Sequence, residues 1–176
     1  MSIENFKDTL PDYAKDIRLN LSNISRGETL SPKTLWGSML AVALVSHHRN
    51  LVEAIEQDEN NPLESGDSQA ARSAAAIMSM NNVYYRFGHT IDDPEIEKMP
   101  ARLRMNVIGN PGCDRTDFEC WCLAVSIVNN CQKCIKTHAA QLTESGITKE
   151  QISEIGRVAA VVKAAADVSK WETSTS

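Results

Sequence analysis

Cys131-Gln132-Lys133-Cys134 is followed one helical turn later by His138, and Glu119 stands on the apolar stretch before it. Two thiols separated by two residues can close a small disulfide with little backbone movement. An imidazole and a carboxylate nearby are what a thiol needs for a proton relay. On a helix, residues three and four apart are neighbours, so Cys131, Cys134 and His138 are expected to share one stripe. A CxxC at a helix start also lies among unpaired backbone N–H groups at the positive end of the helix dipole, which favours thiolate over thiol. An unperturbed cysteine, with a pKa of about 8.5, is roughly 3% thiolate at pH 7; lowering it to about 7 gives roughly half, a shift worth about 2 kcal/mol. Lys133 adds a cation between the two sulfurs. Redox chemistry is the first reading.

Metal binding competes with it. Cys131, Cys134 and His138 are three plausible zinc ligands, with Glu119 or Cys120 as a fourth, in a zinc-stabilised helical binding protein. Structural zinc sites usually add a second close-spaced Cys or His pair, and the sequence offers no convincing one. The remaining residues have plainer readings. Glu119 falls three residues after Thr116, so a capping box accounts for it without catalysis. Cys120 and Cys122 lie in an apolar helix and read as core, whereas Cys113, in a Pro-Gly loop, is a candidate for incidental oxidation. His47-His48 close an apolar helix, where a polar or positive group suits the dipole.

These residues sit in a chain of 176 residues, 42% hydrophobic, with a net charge of −5. One domain over 1–176 is expected, its active-site half at about 114–170, and disorder is expected only over Glu172 to Ser176. The acidic balance argues against a nucleic-acid surface. Met1 to Leu10 does not read as a secretory signal, and the apolar run Leu35 to Val45 is short of the roughly 20 residues of a membrane span. A cytoplasmic location follows, where the five cysteines are not a structural disulfide framework.

Apolar residues recur at three and four rather than at two, which predicts an all-α fold. Ser31-Pro32 opens a helix to about His48, and Asn50 caps a shorter one through Glu56. Asp58 to Asp67 reads as a loop, Gln69 to Tyr85 as a buried helix, and the region of Gly88, Pro94 and Pro100 as loop again. A short apolar segment then precedes Asn110-Pro111-Gly112. Thr116 opens a helix to Val128, Asn129-Asn130 breaks it, and the CxxC starts a helix ending near Gly146. Thr148 with Gln151 forms a second capping box, for a last helix to about Lys170. A faint repeat pairs Leu40–Val45 with Leu123–Val128 at an offset of 83 residues. In that register Cys131 faces His48 and Cys134 faces Leu51, so only the second copy carries thiols.

Glu119 with Cys131-x-x-Cys134-x-x-x-His138 resembles the active-site signature of the alkyl hydroperoxide reductase D family, within the carboxymuconolactone decarboxylase-like superfamily. Pro11 to Leu21, Ala74 to Arg86 and Leu103 to Gly112 resemble further segments of that family, so the likeness covers nearly the whole chain. It implies an all-helical fold with two pseudo-equivalent halves, usually a homotrimer. It implies an antioxidant, lipoyl-dependent peroxidase that reduces an AhpC-type peroxiredoxin, with no bound cofactor or metal and with a lipoylated protein as electron donor. By the same resemblance Cys134 matches the peroxide-attacking cysteine that becomes a sulfenic acid. Cys131 matches its resolving partner and proton donor, and Glu119 and His138 match the relay. Family members often have a histidine where this chain has Lys133, which puts a secondary relay there in doubt. A decarboxylase-like role within the superfamily would leave the cysteine pair unexplained.

Overall fold

The structure, a computed structural model, describes residues 1–173. The described residues contain no strand. Helices α1 (Ile3–Asp8) and α2 (Lys15–Ser25) precede α3 (Pro32–Val45), α4 (Arg49–Glu56) and the long α5 (Ser65–Ile91). Two short helices, α6 (Pro94–Lys98) and α7 (Asn106–Gly109), lead to α8 (Arg115–Val128), α9 (Gln132–Glu144) and α10 (Lys149–Thr173). No helix among the described residues is long and apolar enough to cross a membrane. The fold is all-α, as the periodicity predicts.

The faint repeat is a real one. Helices α3 and α8 are both 14 residues long and begin 83 positions apart. Each ends in a turn where one residue takes a left-handed conformation, His47 in the first copy and Asn130 in the second, both at φ 53°. The next residue caps the following helix with its side chain: His48 Nδ1 accepts from Leu51 N–H at 3.1 Å, and Cys131 Sγ accepts from Cys134 N–H at 3.3 Å. Then come long helices of 27 and 25 residues, α5 and α10. Thr34 and Asp117 are equivalent positions, and Thr34 Oγ1 donates to Asp117 Oδ1. Equivalent residues that touch lie close to the axis relating the two copies.

Helices α3 and α8 cross at the centre and are the most buried elements, over Thr34–Ala43 and Phe118–Ser126. Helices α5 and α10 pack on both. The crossing is close because Gly37 has no side chain: a Cβ there would stand 2.2 Å from Cε2 of Trp121. The indole is fully buried, and its Nε1–H donates to the Thr34 carbonyl at 3.2 Å.

Several boundaries differ from expectation, and local capping explains each. Helix α5 starts inside the expected loop because Glu64 and Asp67 form a capping box. It runs through Gly88 to a left-handed Asp92 (φ 54°); one glycine costs a helix only about 1 kcal/mol. Part of the expected loop after it is α6, started by Asp93 and Pro94. Helix α4 is capped by His48 rather than Asn50. His48 therefore serves as a neutral acceptor at a helix N-terminus, not as a polar group for the end of α3. Helix α10 continues past Lys170, and Tyr13 Oη donates to Glu172 Oε1 at 2.7 Å. The expectation of disorder fails at Glu172 and Thr173; for Ser174 to Ser176 it lies outside the described residues.

Candidate active site

Helix α8 brings Glu119 to the site, and its start removes the plain explanation for that residue. The N-cap is Asp114, whose Oδ1 accepts from the N–H groups of Thr116 (2.8 Å) and Asp117 (3.1 Å). The expected Thr116 cap is absent, so Glu119 lies more than a turn inside the helix and has no capping function. It is buried, and an acidic side chain buried inside a helix needs a partner. That partner is His138 of α9, whose Nδ1 lies 2.7 Å from Glu119 Oε2.

The Asn129-Asn130 turn aims α9 at α8. Asn130 adopts the left-handed conformation that asparagine tolerates, and Asn129 Nδ2 donates to Asn82 Oδ1 of α5 at 3.0 Å. Cys131 follows as the N-cap, so it stands just outside α9 while Cys134 and His138 share a face one turn apart. Cys131 and Cys134 form a disulfide with their Cα atoms 5.3 Å apart. Their exposures differ: Cys131 is at 0%, and Cys134, at 6%, lines a cavity.

That cavity has a volume of about 300 Å³. Met78, Asn81 and Tyr85 line it from one face of α5, Met105 and Ile108 from the α7 region, and Arg115 and Glu119 from α8. Helix α9 adds Lys133, Cys134, Thr137, His138 and Gln141. Sulfur, imidazole and carboxylate thus meet at one apolar-walled hole. Sequence reasoning missed the walls. Their available signal was the spacing of Met78, Asn81 and Tyr85 at i, i+3 and i+7 on a helix otherwise assigned to the core.

Lys133 does not act as a cation set simply between the sulfurs. Its Nζ lies 3.5 Å from Glu97 Oε1 of α6 and 6.0 Å from the Tyr85 ring centroid, so its charge is shared with that carboxylate and ring. The other thiols stand apart from the site. Burial, with nearby carboxylates, pushes Cys113 up to about 11 and Cys120 up to about 12, and Cys122 well above its ordinary value. Cys120 and Cys122 are core, as expected. Cys113 is half-buried in its loop, where the raised pKa favours the thiol over the thiolate. Among the described residues, no group of three or more His, Cys, Asp and Glu side chains is placed to share a metal ion. The ligand set of the zinc reading is not assembled there.

A helical repeat that carries a CxxC, a histidine and a glutamate around a cavity defines a class. Residues 94–170 match the model of the carboxymuconolactone decarboxylase family. Proteins named alkyl hydroperoxide reductase AhpD are similar over almost their whole length. The one from Methylocella silvestris is 48% identical over 94% of this chain and 93% of its own. For Coxiella burnetii the identity is 45%, over 98% of this chain and 99% of the relative. For Rhizorhabdus wittichii it is 48%, over 96% and 97%. The chain belongs to the alkyl hydroperoxide reductase AhpD family.

Proposed function

We propose that this protein is an antioxidant thiol peroxidase, an oxidoreductase that reduces alkyl hydroperoxides and hydrogen peroxide through a dithiol–disulfide cycle of Cys131 and Cys134. The carrying observation is the asymmetry of the pair: Cys134 lines the cavity with the His138–Glu119 pair, and Cys131 is sealed behind it. The names of the relatives support the substrate class.

In the reaction, the Cys134 thiolate attacks the terminal oxygen of R–O–O–H. An S–O bond forms, the O–O bond breaks, and the alkoxide leaves with a proton as alcohol. The sulfur is now a sulfenic acid, oxidised by two electrons. Cys131 attacks it as a thiolate, the S–S bond forms, and hydroxide leaves with a proton as water. Two thiols and one hydroperoxide become one disulfide, one alcohol and one water. Glu119 holds Nδ1 of His138, which leaves Nε2 to exchange protons with the Cys131 thiol. A buried resolving sulfur also receives the Cys134 backbone N–H, a contact that strengthens as the sulfur becomes anionic.

A dihydrolipoyl group on a lipoylated partner protein returns the pair to dithiol by exchange, and an AhpC-type peroxiredoxin is the second client. The setting is the reducing cytoplasm, and no resident cofactor or metal is required. The protein acts as a homotrimer, for which the exposed apolar ridge Val83, Phe87 and Ile91 of α5 provides a surface. The test is peroxide turnover with a lipoyl donor, comparing wild type with Cys134→Ser and Cys131→Ser. Cys134→Ser abolishes the reaction. Cys131→Ser, given hydroperoxide without the donor, consumes one equivalent and leaves a sulfenic acid on Cys134. Wild-type turnover by Cys134→Ser would overturn the assignment.

A further inference from the structure

The turn that leads into Cys131 is held from the side by α5. Asn82 is fully buried; its Nδ2 donates to Ser126 Oγ at 2.9 Å, and its Oδ1 accepts from Asn129 Nδ2 at 3.0 Å. One helical turn on, Arg86 Nη1 donates to the Asn129 carbonyl. The Ser126 carbonyl accepts the Cys131 N–H at 3.1 Å. Both ends of the turn are therefore tied to α5, and the residue that follows is the sealed sulfur.

The first copy shows which of these ties the turn needs. Helices α5 and α10 begin at Ser65 and Lys149, 84 positions apart, so Ala166 and Lys170 stand where Asn82 and Arg86 do. At the offset of 83 between α3 and α8, Ala43 and Ser46 stand where Ser126 and Asn129 do. The cation is common to both copies: Lys170 Nζ donates to the Ser46 carbonyl as Arg86 does to that of Asn129. The chain of side chains Ser126–Asn82–Asn129 is not. Its places are taken by two fully buried alanines and by Ser46, whose Oγ has no hydrogen-bond partner among the described residues. The same turn forms without the chain, so the chain answers to something else that differs between the copies, and the thiols differ.

We infer that Asn82, Ser126 and Asn129 are positioning residues for Cys131: they hold the α8–α9 turn so that the Cys131 sulfur stays within bonding reach of Cys134. The inference deepens the dithiol–disulfide cycle proposed above and rests on it. Two sulfurs held together before they react have a high effective concentration toward each other. That favours disulfide over dithiol at equilibrium and speeds the attack of Cys131 on a sulfenic acid at Cys134. Loss of the chain should change each quantity about tenfold, the net effect of roughly one or two hydrogen bonds.

The test uses two oxidants on reduced, full-length protein. Oxidised glutathione exchanges with the dithiol to give the Cys131–Cys134 disulfide and two reduced glutathiones, and mass spectrometry after acid quenching reads the equilibrium. The triple variant Asn82→Ala, Ser126→Ala, Asn129→Ser gives the second copy the side chains of the first. It is expected to fold, because the fold already accommodates that set, and to shift the equilibrium about tenfold toward dithiol, or about 30 mV. With excess tert-butyl hydroperoxide, the Cys134 sulfenic acid is either taken by Cys131, releasing water, or oxidised by a second hydroperoxide to sulfinic acid, releasing alcohol. The variant reaches the sulfinic acid at about a tenth of the hydroperoxide that wild type needs. Asn129→Ser alone, which cuts the tie to the turn, shifts both readouts in the same directions and decides the matter should the triple variant fail to fold. An unmoved glutathione equilibrium overturns the inference, even where the unfolding temperature falls, since that combination marks a purely structural network. Wild-type protein that exchanges with glutathione but ignores hydroperoxide overturns the peroxidase reading alone.

Discussion

At the scale of single residues, the Glu119–His138 pair is the strongest statement the molecule makes. A glutamate and a histidine, both buried, sit 2.7 Å apart against a cavity, one turn from a sulfur. Glu119→Gln keeps an oxygen for Nδ1 but cannot hold the proton balance of the pair, and His138→Gln removes the exchanging nitrogen. Each is expected to lower peroxide turnover about a hundredfold, the usual worth of a positioned acid–base group, with unfolding temperatures near wild type. Turnover measured from pH 6 to 8 checks it; either variant matching wild type across that range removes the relay. The four candidate residues were legible because their spacing along the chain is itself chemical. The cavity wall was not, although Met78, Asn81 and Tyr85 share an i, i+3, i+7 stripe, because an alanine- and methionine-rich helix looks like core along its whole length. Glu119 was legible for a mixed reason: the capping box that explained it away fails, because Asp114 takes the cap.

At the scale of elements, the turn from helix to capped helix is used twice with different caps, and the histidine cap of the first copy makes the fold sensitive to pH. In the first copy the acceptor is His48 Nδ1, T-shaped against Phe6 with centroids 5.4 Å apart. Burial, and then the Lys170 charge, holds His48 below its ordinary value. The fold therefore binds the proton more weakly than the unfolded chain does. The stabilising contribution of neutral His48 is complete above about pH 6.5, the unfolded value, and is lost as pH falls below it. Protonation also fills the lone pair that caps α4. His48→Asn keeps a capping acceptor that does not titrate. Its unfolding temperature should fall less than that of wild type between pH 7.5 and pH 5, and parallel curves would show that His48 does not supply the dependence. Helix identities were legible from periodicity and from Ser31-Pro32 and Thr148-Gln151, whose caps form as expected. The starts of α4, α5 and α8 were not, because each has two candidate polar caps within a few residues and tertiary packing chooses between them.

At the scale of the whole molecule, one duplicated three-helix unit carries the candidate site in one copy only. Positions equivalent to Glu119, Cys131, Cys134 and His138 at an offset of 83 are Trp36, His48, Leu51 and Ile55. All four are buried, so packing fills the first copy where the second has its site. The two copies are joined through the α3–α8 crossing, and Gly37 sets its distance. A methyl group there meets the rigid, fully buried Trp121 indole, two residues beyond Glu119 on α8. Gly37→Ala should therefore cost about 2 kcal/mol through overpacking, which for a chain of this size lowers the unfolding temperature by roughly 4 to 8 °C. Trp121→Phe relieves the clash while losing the bond to the Thr34 carbonyl, so the double variant should be more stable than the two single losses added together. Thermal unfolding of the four proteins measures the coupling. Strict additivity would mean that the helices separate to admit the methyl group, and peroxide turnover of Gly37→Ala would then fall as α8 carries Glu119 away from His138.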